Sequence, residues 1–197
     1  MLPLKKALKS SIGKKYLMAM SGFALMGFLT THLLANMLLY LPTGDLFNGY
    51  VQALQSWGPG LYVAEAGLAG LFIFHIVLAI ALHSKKGEAR GSKYAANPNS
   101  KGGESKFGLP ANNMLITGIV LALFLVIHII HLKFGAGIEE GYTVILNGEE
   151  TRDLYRLVVE QFQNPAVAIG YAAVMLFLGF HLRHGFWSAF QSLGLMA

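Results

Sequence analysis

Four long apolar runs decide what this chain can fold into. The first, from Tyr16 to Tyr40, extends for 25 residues without a Lys, Arg, Asp or Glu, and about 20 residues suffice for a helix to cross ~30 Å of hydrocarbon. Three more runs cover residues 61–82, 113–132 and 165–186. Hydrophobic residues make up 54% of the 197 residues and charged residues only 13%, too few polar residues to cover the surface of a soluble domain. The pattern predicts an all-α integral membrane protein in which four transmembrane helices form a bundle.

The charges between these runs predict how the chain crosses the membrane. Residues 1–15 contain five lysines and no acid, and residues 84–110 contain six Lys or Arg against two Glu. The loop between the third and fourth spans is acidic, with six carboxylates against three basic side chains. By the positive-inside rule, the N-terminus and the 84–110 loop are cytoplasmic. Within the acidic loop, residues 151–162 predict a short amphipathic helix on the outer surface.

Two classes of function are disfavoured by composition. The chain contains no cysteine, which excludes disulfides, iron–sulfur ligation and covalent haem attachment by this chain. The basic residues flank apolar runs and form no stripe with exposed aromatic residues, so nucleic-acid binding is not expected. Residues 1–197 are predicted to form a single membrane domain without a repeat of fixed period.

Seven histidines lie in the apolar spans or at their ends, and each span holds at least one. An imidazole at membrane depth is costly unless it is paired or ligated, so these residues are candidates for function. Those nearest the span ends are explained by interfacial solvation and are not predicted as ligands. They are His83, His131 and His184.

The remaining four histidines match in depth. At 1.5 Å per residue, His32 and His128 both lie near the outer side, and His75 and His181 both lie near the cytoplasmic side. For one isolated histidine, packing or an interhelical hydrogen bond is the commoner explanation. Four histidines matched in depth on four helices favour ligation of two irons. Each iron would be held between two imidazoles, and the two irons would lie roughly 15 Å apart. Glycines precede all four, as expected for haem packing and equally for ordinary helix packing.

Several stretches between Gly13 and Leu195 together resemble the b558-type diheme cytochrome b subunit of succinate dehydrogenases and fumarate reductases. These stretches are Gly13 to Gly22 leading to Thr31-His32-Leu-Leu-Ala-Asn36, Ala64-Glu65-Ala-Gly-Leu68 leading to Phe74-His75, Phe124 to His128 with Lys133-Phe134-Gly135, and Phe180-His181 to Gly194.

The resemblance implies a cofactor set and partners. His32, His75, His128 and His181 would be the axial ligands of two haems b, and the quinone, usually menaquinone in this family, would bind toward the outer haem. The partners would be a flavoprotein subunit that interconverts succinate and fumarate on FAD and an iron–sulfur subunit on the cytoplasmic face. The chain would be the electron-transfer subunit of that enzyme in a bacterial cytoplasmic membrane, within a complex that can assemble further.

Two departures from the family are visible. Members normally have a fifth helix after the Phe190 to Gly194 stretch, whereas this sequence ends at Ala197, so that helix is either lost or lies beyond the sequence. Some fumarate reductases also carry a Glu two residues before the fourth ligand, where this chain has Gly179. A compensating transmembrane proton path by that route is therefore doubtful.

Four further residues are candidates, and three of them have two interpretations. Glu65 is the only carboxylate inside a span, and it is either a proton acceptor for quinol oxidation or a headgroup residue at the start of its helix. Ser21, Lys15 and Arg183 have chemistry suited to haem propionates on the cytoplasmic side, although the Lys and Arg are equally explained as topology determinants.

Two alternative functions remain open from the sequence. A cytochrome b subunit of a formate dehydrogenase or hydrogenase also uses intramembrane histidines and a quinone, but its ligands need not fall one per helix on four helices. A non-redox transporter using histidine and Glu65 would be expected to have further intramembrane carboxylates.

Overall fold

A computed structural model describes Lys6, residues 10–88, of which 85–88 in backbone only, and residues 114–195. Its helices in chain order are α1 (Ser11–Asn36), α2 (Asp45–Gln55), α3 (Pro59–Glu88), α4 (Met114–His128), α5 (Leu154–Gln163) and α6 (Pro165–Ser192), and its strands are β1 (Thr143–Leu146) and β2 (Glu149–Arg152). A 3-10 turn, Met37–Tyr40, continues α1, and a π-helical segment, Ile129–Lys133, continues α4. A second 3-10 turn spans Ile138–Glu140.

The four predicted spans are confirmed as four helices long and apolar enough to cross a membrane. They cover Ser11–Tyr40, Pro59–Ser84, Met114–Lys133 and Pro165–Ser192, and between 0% and 11% of the residues in their apolar windows are buried. Apolar surface left uncovered on this scale needs lipid or another protein against it. The chain is thus an all-α membrane protein with one small hairpin.

The ends of the spans differ from the prediction. α1 begins at Ser11 rather than Tyr16, and α6 continues to Ser192. Nothing in the polar flanks breaks a helix, and the lysines of the first turns have stems long enough to reach the interface. Of the segment 84–110, predicted as a loop, residues 84–88 are helical, and residues 89–110 lie outside the described residues.

Two compact units can be distinguished. Among the described residues, the terminal unit comprises Lys6 and residues 10–26, 70–88, 114–119 and 177–195, and the loop unit comprises residues 27–69 and 120–176. All four long helices contribute a segment to each unit.

The terminal unit is packed through aromatic rings of α1 and α6. The Phe23 ring lies edge-on to Phe190 and Phe186, with ring centroids 5.5 Å and 6.2 Å apart, and Phe186 and Phe190 are 4.6 Å apart. Edge-to-face arrangements of this kind add to the energy of simple area burial. Ala19 and Ala189 are buried on the same two helices.

The loop unit contains a β-hairpin that the sequence analysis missed. β1 and β2 pair antiparallel with Leu146 opposite Glu149, and the two residues of the turn, Asn147 and Gly148, have φ of 53° and 83°. Asn-Gly is the preferred dipeptide for a two-residue hairpin turn because both residues tolerate positive φ. Thr151 and Arg152 therefore belong to a strand, and the helix predicted at 151–162 begins at Leu154, with Asp153 accepting a hydrogen bond from the Arg156 amide as its N-cap.

A buried amide joins α2, also not predicted, to the start of α5. Asn48 is 2% exposed. Its side-chain Nδ2 donates to Asp153 Oδ1 at 2.7 Å, and its Oδ1 accepts from the Tyr155 amide at 2.9 Å. Both ends of the amide are satisfied, so the two elements are fixed to each other within the loop unit.

Arg152 closes the C-terminal end of the π-helical segment. Its guanidinium donates to the backbone carbonyls of Leu132, Lys133, Gly135 and Ala136 at 2.9–3.2 Å. The last carbonyls of a helix have no intrahelical partner, and a cation there also opposes the negative end of the helix dipole. Burial lowers the pKa of Arg152, but an arginine stays charged at neutral pH.

We expect Arg152→Met to destabilise the chain, because it keeps the aliphatic stem and leaves four carbonyls without their donor. A loss of about 3 kcal/mol corresponds to a fall in Tm of roughly 6–12 °C, measured by circular dichroism of the full chain in detergent. The control is Arg156→Met, since Arg156 pairs with Glu160 only at the exposed surface and should leave Tm almost unchanged. Equal losses in both variants would contradict the capping role of Arg152.

Candidate metal centres

In the terminal unit, His75 of α3 and His181 of α6 face each other. Their ring centroids are 6.5 Å apart and their planes are inclined by 64°. Both rings are half-buried. These are two of the histidines that the depth argument places at the same level.

Each of these two imidazoles contacts a buried hydroxyl on another helix. Ser21 Oγ, on α1, lies 3.1 Å from His75 Nδ1, and Thr117 Oγ1, on α4, lies 3.2 Å from His181 Nδ1. Ser21 is 4% exposed and Thr117 is 8% exposed. The sequence analysis proposed Ser21 as a propionate partner and did not identify Thr117. The structure places both hydroxyls directly against histidine rings.

A glycine follows each hydroxyl and lets the ring approach the helix. A Cβ atom at Gly22 would lie 3.7 Å from His75 Cε1, and a Cβ atom at Gly118 would lie 3.6 Å from His181 Cε1. An alanine would just fit, whereas a larger side chain would have to displace the ring.

In the loop unit, His32 of α1 and His128 of α4 form the second pair. Their ring centroids are 5.9 Å apart with planes inclined by 84°. The Phe28 ring stacks on His32 at 5.5 Å and the Phe124 ring lies tilted on His128 at 5.6 Å. Each phenylalanine is four residues before its histidine, one helical turn away, so this pair is oriented by aromatic rings of its own helices.

The same motif on α1 and α4 produces these contacts. Residues 21–32 and residues 117–128 both read Ser or Thr, Gly, five residues, Phe, three residues, His. In each copy, the hydroxyl and the glycine lie against a histidine of the His75–His181 pair. The phenylalanine lies against the histidine of its own copy, which belongs to the His32–His128 pair. This two-copy motif is the sequence signal that could have identified Thr117.

Glu65 forms an ion pair with Lys133 in the loop unit. Their side chains are 38% and 41% exposed. The candidate proton acceptor thus has a cationic partner and belongs to the same unit as the His32–His128 pair.

The other candidates from the sequence are not members of the two facing pairs. Lys15, His83 and Arg183 are exposed. His131 has a buried Nδ1 with no hydrogen-bond partner among residues 10–88 and 114–195. That His83, His131 and His184 are not ligands stays a prediction.

Tyr171 is a half-buried residue that was not predicted from the sequence. Its ring lies among Phe124, Phe162 and His128, with centroids 4.9 Å, 4.8 Å and 6.1 Å away, and its hydroxyl is buried without a partner in the described part of the chain. Tyr171 stands ten residues before His181, as Glu65 stands ten residues before His75. Both positions fall in the loop unit.

The ring separations of both pairs would allow each pair to hold one metal ion between its two imidazoles. An imidazole nitrogen lies about 2 Å from such an ion and the ring centroid about 1 Å further, so two opposed rings have centroids about 6 Å apart. The observed separations of 5.9 Å and 6.5 Å bracket this value. Axial rings can rotate about the metal–nitrogen bonds, so both interplanar angles are compatible with it. The Nδ1 atom of His128 is buried and has no hydrogen-bond partner among the described residues. This is compatible with the observed ring separation.

Comparison of the chain with family models, curated proteins and solved structures finds no match. The cytochrome b resemblance therefore stays a prediction, and function has to be inferred from the geometry of the two pairs.

We expect Gly22→Leu to displace the His75 ring and to break its contact with Ser21. Overpacking of this kind costs about 1–3 kcal/mol, which a thermal melt of the full chain would detect. Gly27→Leu is the matched control, because it lies on the same helix with nothing within 4 Å of a Cβ atom. If the two variants melted alike, the close approach at Gly22 would have no structural importance.

Proposed function

We propose that this chain is the diheme cytochrome b subunit of a succinate dehydrogenase or fumarate reductase. One observation carries the proposal: each of the four long helices contributes one histidine, and the four form two pairs with the spacing of axial ligands. When bound, two haems b would pass single electrons between a membrane quinone and an iron–sulfur subunit.

Pairs of imidazoles favour haem over a bare metal ion. A haem iron needs two protein ligands because the porphyrin supplies the other four, whereas a protein zinc site takes three or four side chains. His75 and His181 would hold one haem and His32 and His128 the other. The apolar helices would exclude water from both, and the phenylalanines and hydroxyls would orient the rings.

The quinone is proposed to react on the side of the His32–His128 pair. Quinol oxidation releases protons, and Glu65 is a carboxylate in the same unit, held by Lys133. The ion pair keeps the carboxylate in place as a proton acceptor. Menaquinone is the quinone that the family resemblance favours.

The remaining parts of the proposal concern partners and location. An FAD-containing flavoprotein would carry the succinate and fumarate chemistry, and an iron–sulfur subunit would connect it to this chain. The lysine-rich N-terminus and the basic 84–110 segment support an N-terminus on the cytoplasmic side, and a bacterial cytoplasmic membrane is proposed from the family resemblance.

The proposal predicts two haems b per chain, each lost with its own pair of histidines. In reduced-minus-oxidised spectra with haem quantitation, His32→Ala and His128→Ala should remove the same haem, and His75→Ala and His181→Ala should remove the other. His83→Ala is the control, since this exposed histidine should leave both haems in place. A colourless chain, or losses in another pairing, would contradict the proposal.

We expect Glu65→Gln to slow quinol oxidation by about a hundredfold or more, because a positioned proton acceptor contributes about that much. The measurement is the rate of haem reduction by a menaquinol analogue, with haem content unchanged. Glu160→Gln is the matched control: this carboxylate is in the same unit but bonds Tyr142 and Arg156. An unchanged rate for Glu65→Gln would favour a headgroup role for Glu65.

A further inference from the structure

We propose that Ser21 and Thr117 are positioning residues that hold a proton on Nδ1 of His75 and of His181, leaving Nε2 of both rings free to bind a metal. The inference rests on the proposed function and deepens it, because it assigns the state of the ligand atoms in one of the two pairs.

The assignment follows from the available donors and acceptors. Ser21 Oγ lies 3.0 Å from the carbonyl oxygen of Met18, and Thr117 Oγ1 lies 3.0 Å from that of Met114. A carbonyl can only accept, so the single hydroxyl proton of each side chain is donated to it. Each hydroxyl then has only lone pairs to offer a histidine.

The histidine must therefore be the donor in each cross-helix contact. His75 Nδ1 and His181 Nδ1, at 3.1 Å and 3.2 Å from the hydroxyl oxygens, carry the hydrogen. In a neutral imidazole only one nitrogen is protonated, which leaves Nε2 with its lone pair. A metal-binding histidine commonly has its other nitrogen fixed in this way.

The usual hydrogen bond of a hydroxyl to its own helix explains only one of the two contacts that each hydroxyl makes. A Ser or Thr inside an apolar helix commonly bonds the carbonyl three or four residues earlier. The second contact, to an imidazole of another helix, goes beyond that need, and it occurs twice at corresponding places on α1 and α4. Both hydroxyls are buried, so water has little access to replace them.

These contacts between a hydroxyl and Nδ1 are made by the His75–His181 pair. His128 Nδ1 is buried and makes no hydrogen bond within the described part of the chain, and His32 and His128 are oriented by phenylalanines. A hydrogen bond from Nδ1 makes an imidazole a stronger electron donor. The His75–His181 pair should therefore favour an oxidised metal more than the same rings would without their hydroxyl partners.

The first test uses the unaltered full chain without haem. Nitrogen-15 NMR of labelled histidine, recorded near pH 8 where a free imidazole is neutral, should show protonated Nδ1 and unprotonated Nε2 for His75 and His181. Assignment comes from the loss of one signal set in each His→Ala variant. Protonated Nε2 on these two rings would overturn the inference, whether or not the chain binds haem.

The second test uses the haem-loaded chain. Ser21→Ala and Thr117→Val should each raise the midpoint potential of one haem, the one lost in His75→Ala, with the other unchanged. We expect about a tenfold change in the oxidised-to-reduced ratio at fixed potential, equivalent to about 59 mV for one electron. Ser21→Thr, which keeps a hydroxyl, should restore the wild-type value.

Thr31→Val is the control for the potentials, because the exposed Thr31 hydroxyl donates only to the Phe28 carbonyl. If two haems are present and neither potential moves in Ser21→Ala or Thr117→Val, the positioning role is wrong while the proposed function stands. If no haem binds, the proposed function is wrong, and the NMR experiment alone decides the state of the two rings.

Discussion

The cost of placing an imidazole in hydrocarbon is the constraint on which this structure depends. A polar ring at membrane depth needs partners for its nitrogens, and water is not there to supply them. Four of the seven histidines face each other in two pairs across helices, and each ring of one pair also contacts a buried hydroxyl, whereas His128 Nδ1 in the other pair has no hydrogen-bond partner among the described residues. The helices that carry these residues are otherwise almost wholly apolar, so the polar contacts select which faces of the helices come together.

The same constraint explains what could be predicted from the sequence. Hydropathy located all four long helices, because a membrane-spanning segment must satisfy its backbone internally and can do so only over a restricted length. A fixed rise per residue then made His32 level with His128 and His75 level with His181 without knowledge of any contact. The ends of α1 and α6 were less predictable, since helices continue beyond the apolar run until something stops them.

Several elements and residues were not predicted, because hydropathy and helix rise do not describe them. α2 and the Arg152 cap depend on contacts between residues distant in the chain, whereas the hairpin has a local turn signal, Asn147-Gly148, that was overlooked. Ser21 was chosen for its chemistry but given a different partner, and Thr117 was not chosen at all. A hydroxyl in an apolar helix can satisfy itself on its own backbone, so only the two-copy motif on α1 and α4 could have drawn attention to the pair.

The segments between the spans do more than connect them. Arg152, on the hairpin, donates to the backbone carbonyl of Lys133 at 3.2 Å, and the Lys133 side chain forms the ion pair with Glu65 of α3. Asn48 in turn fixes α2 against Asp153, the residue that follows Arg152 and caps α5. A short polar segment, invisible to hydropathy, thus determines where one of the candidate proton-handling residues stands. If Glu65 accepts protons from a quinol, the hairpin is part of that site even though none of its side chains need touch the substrate.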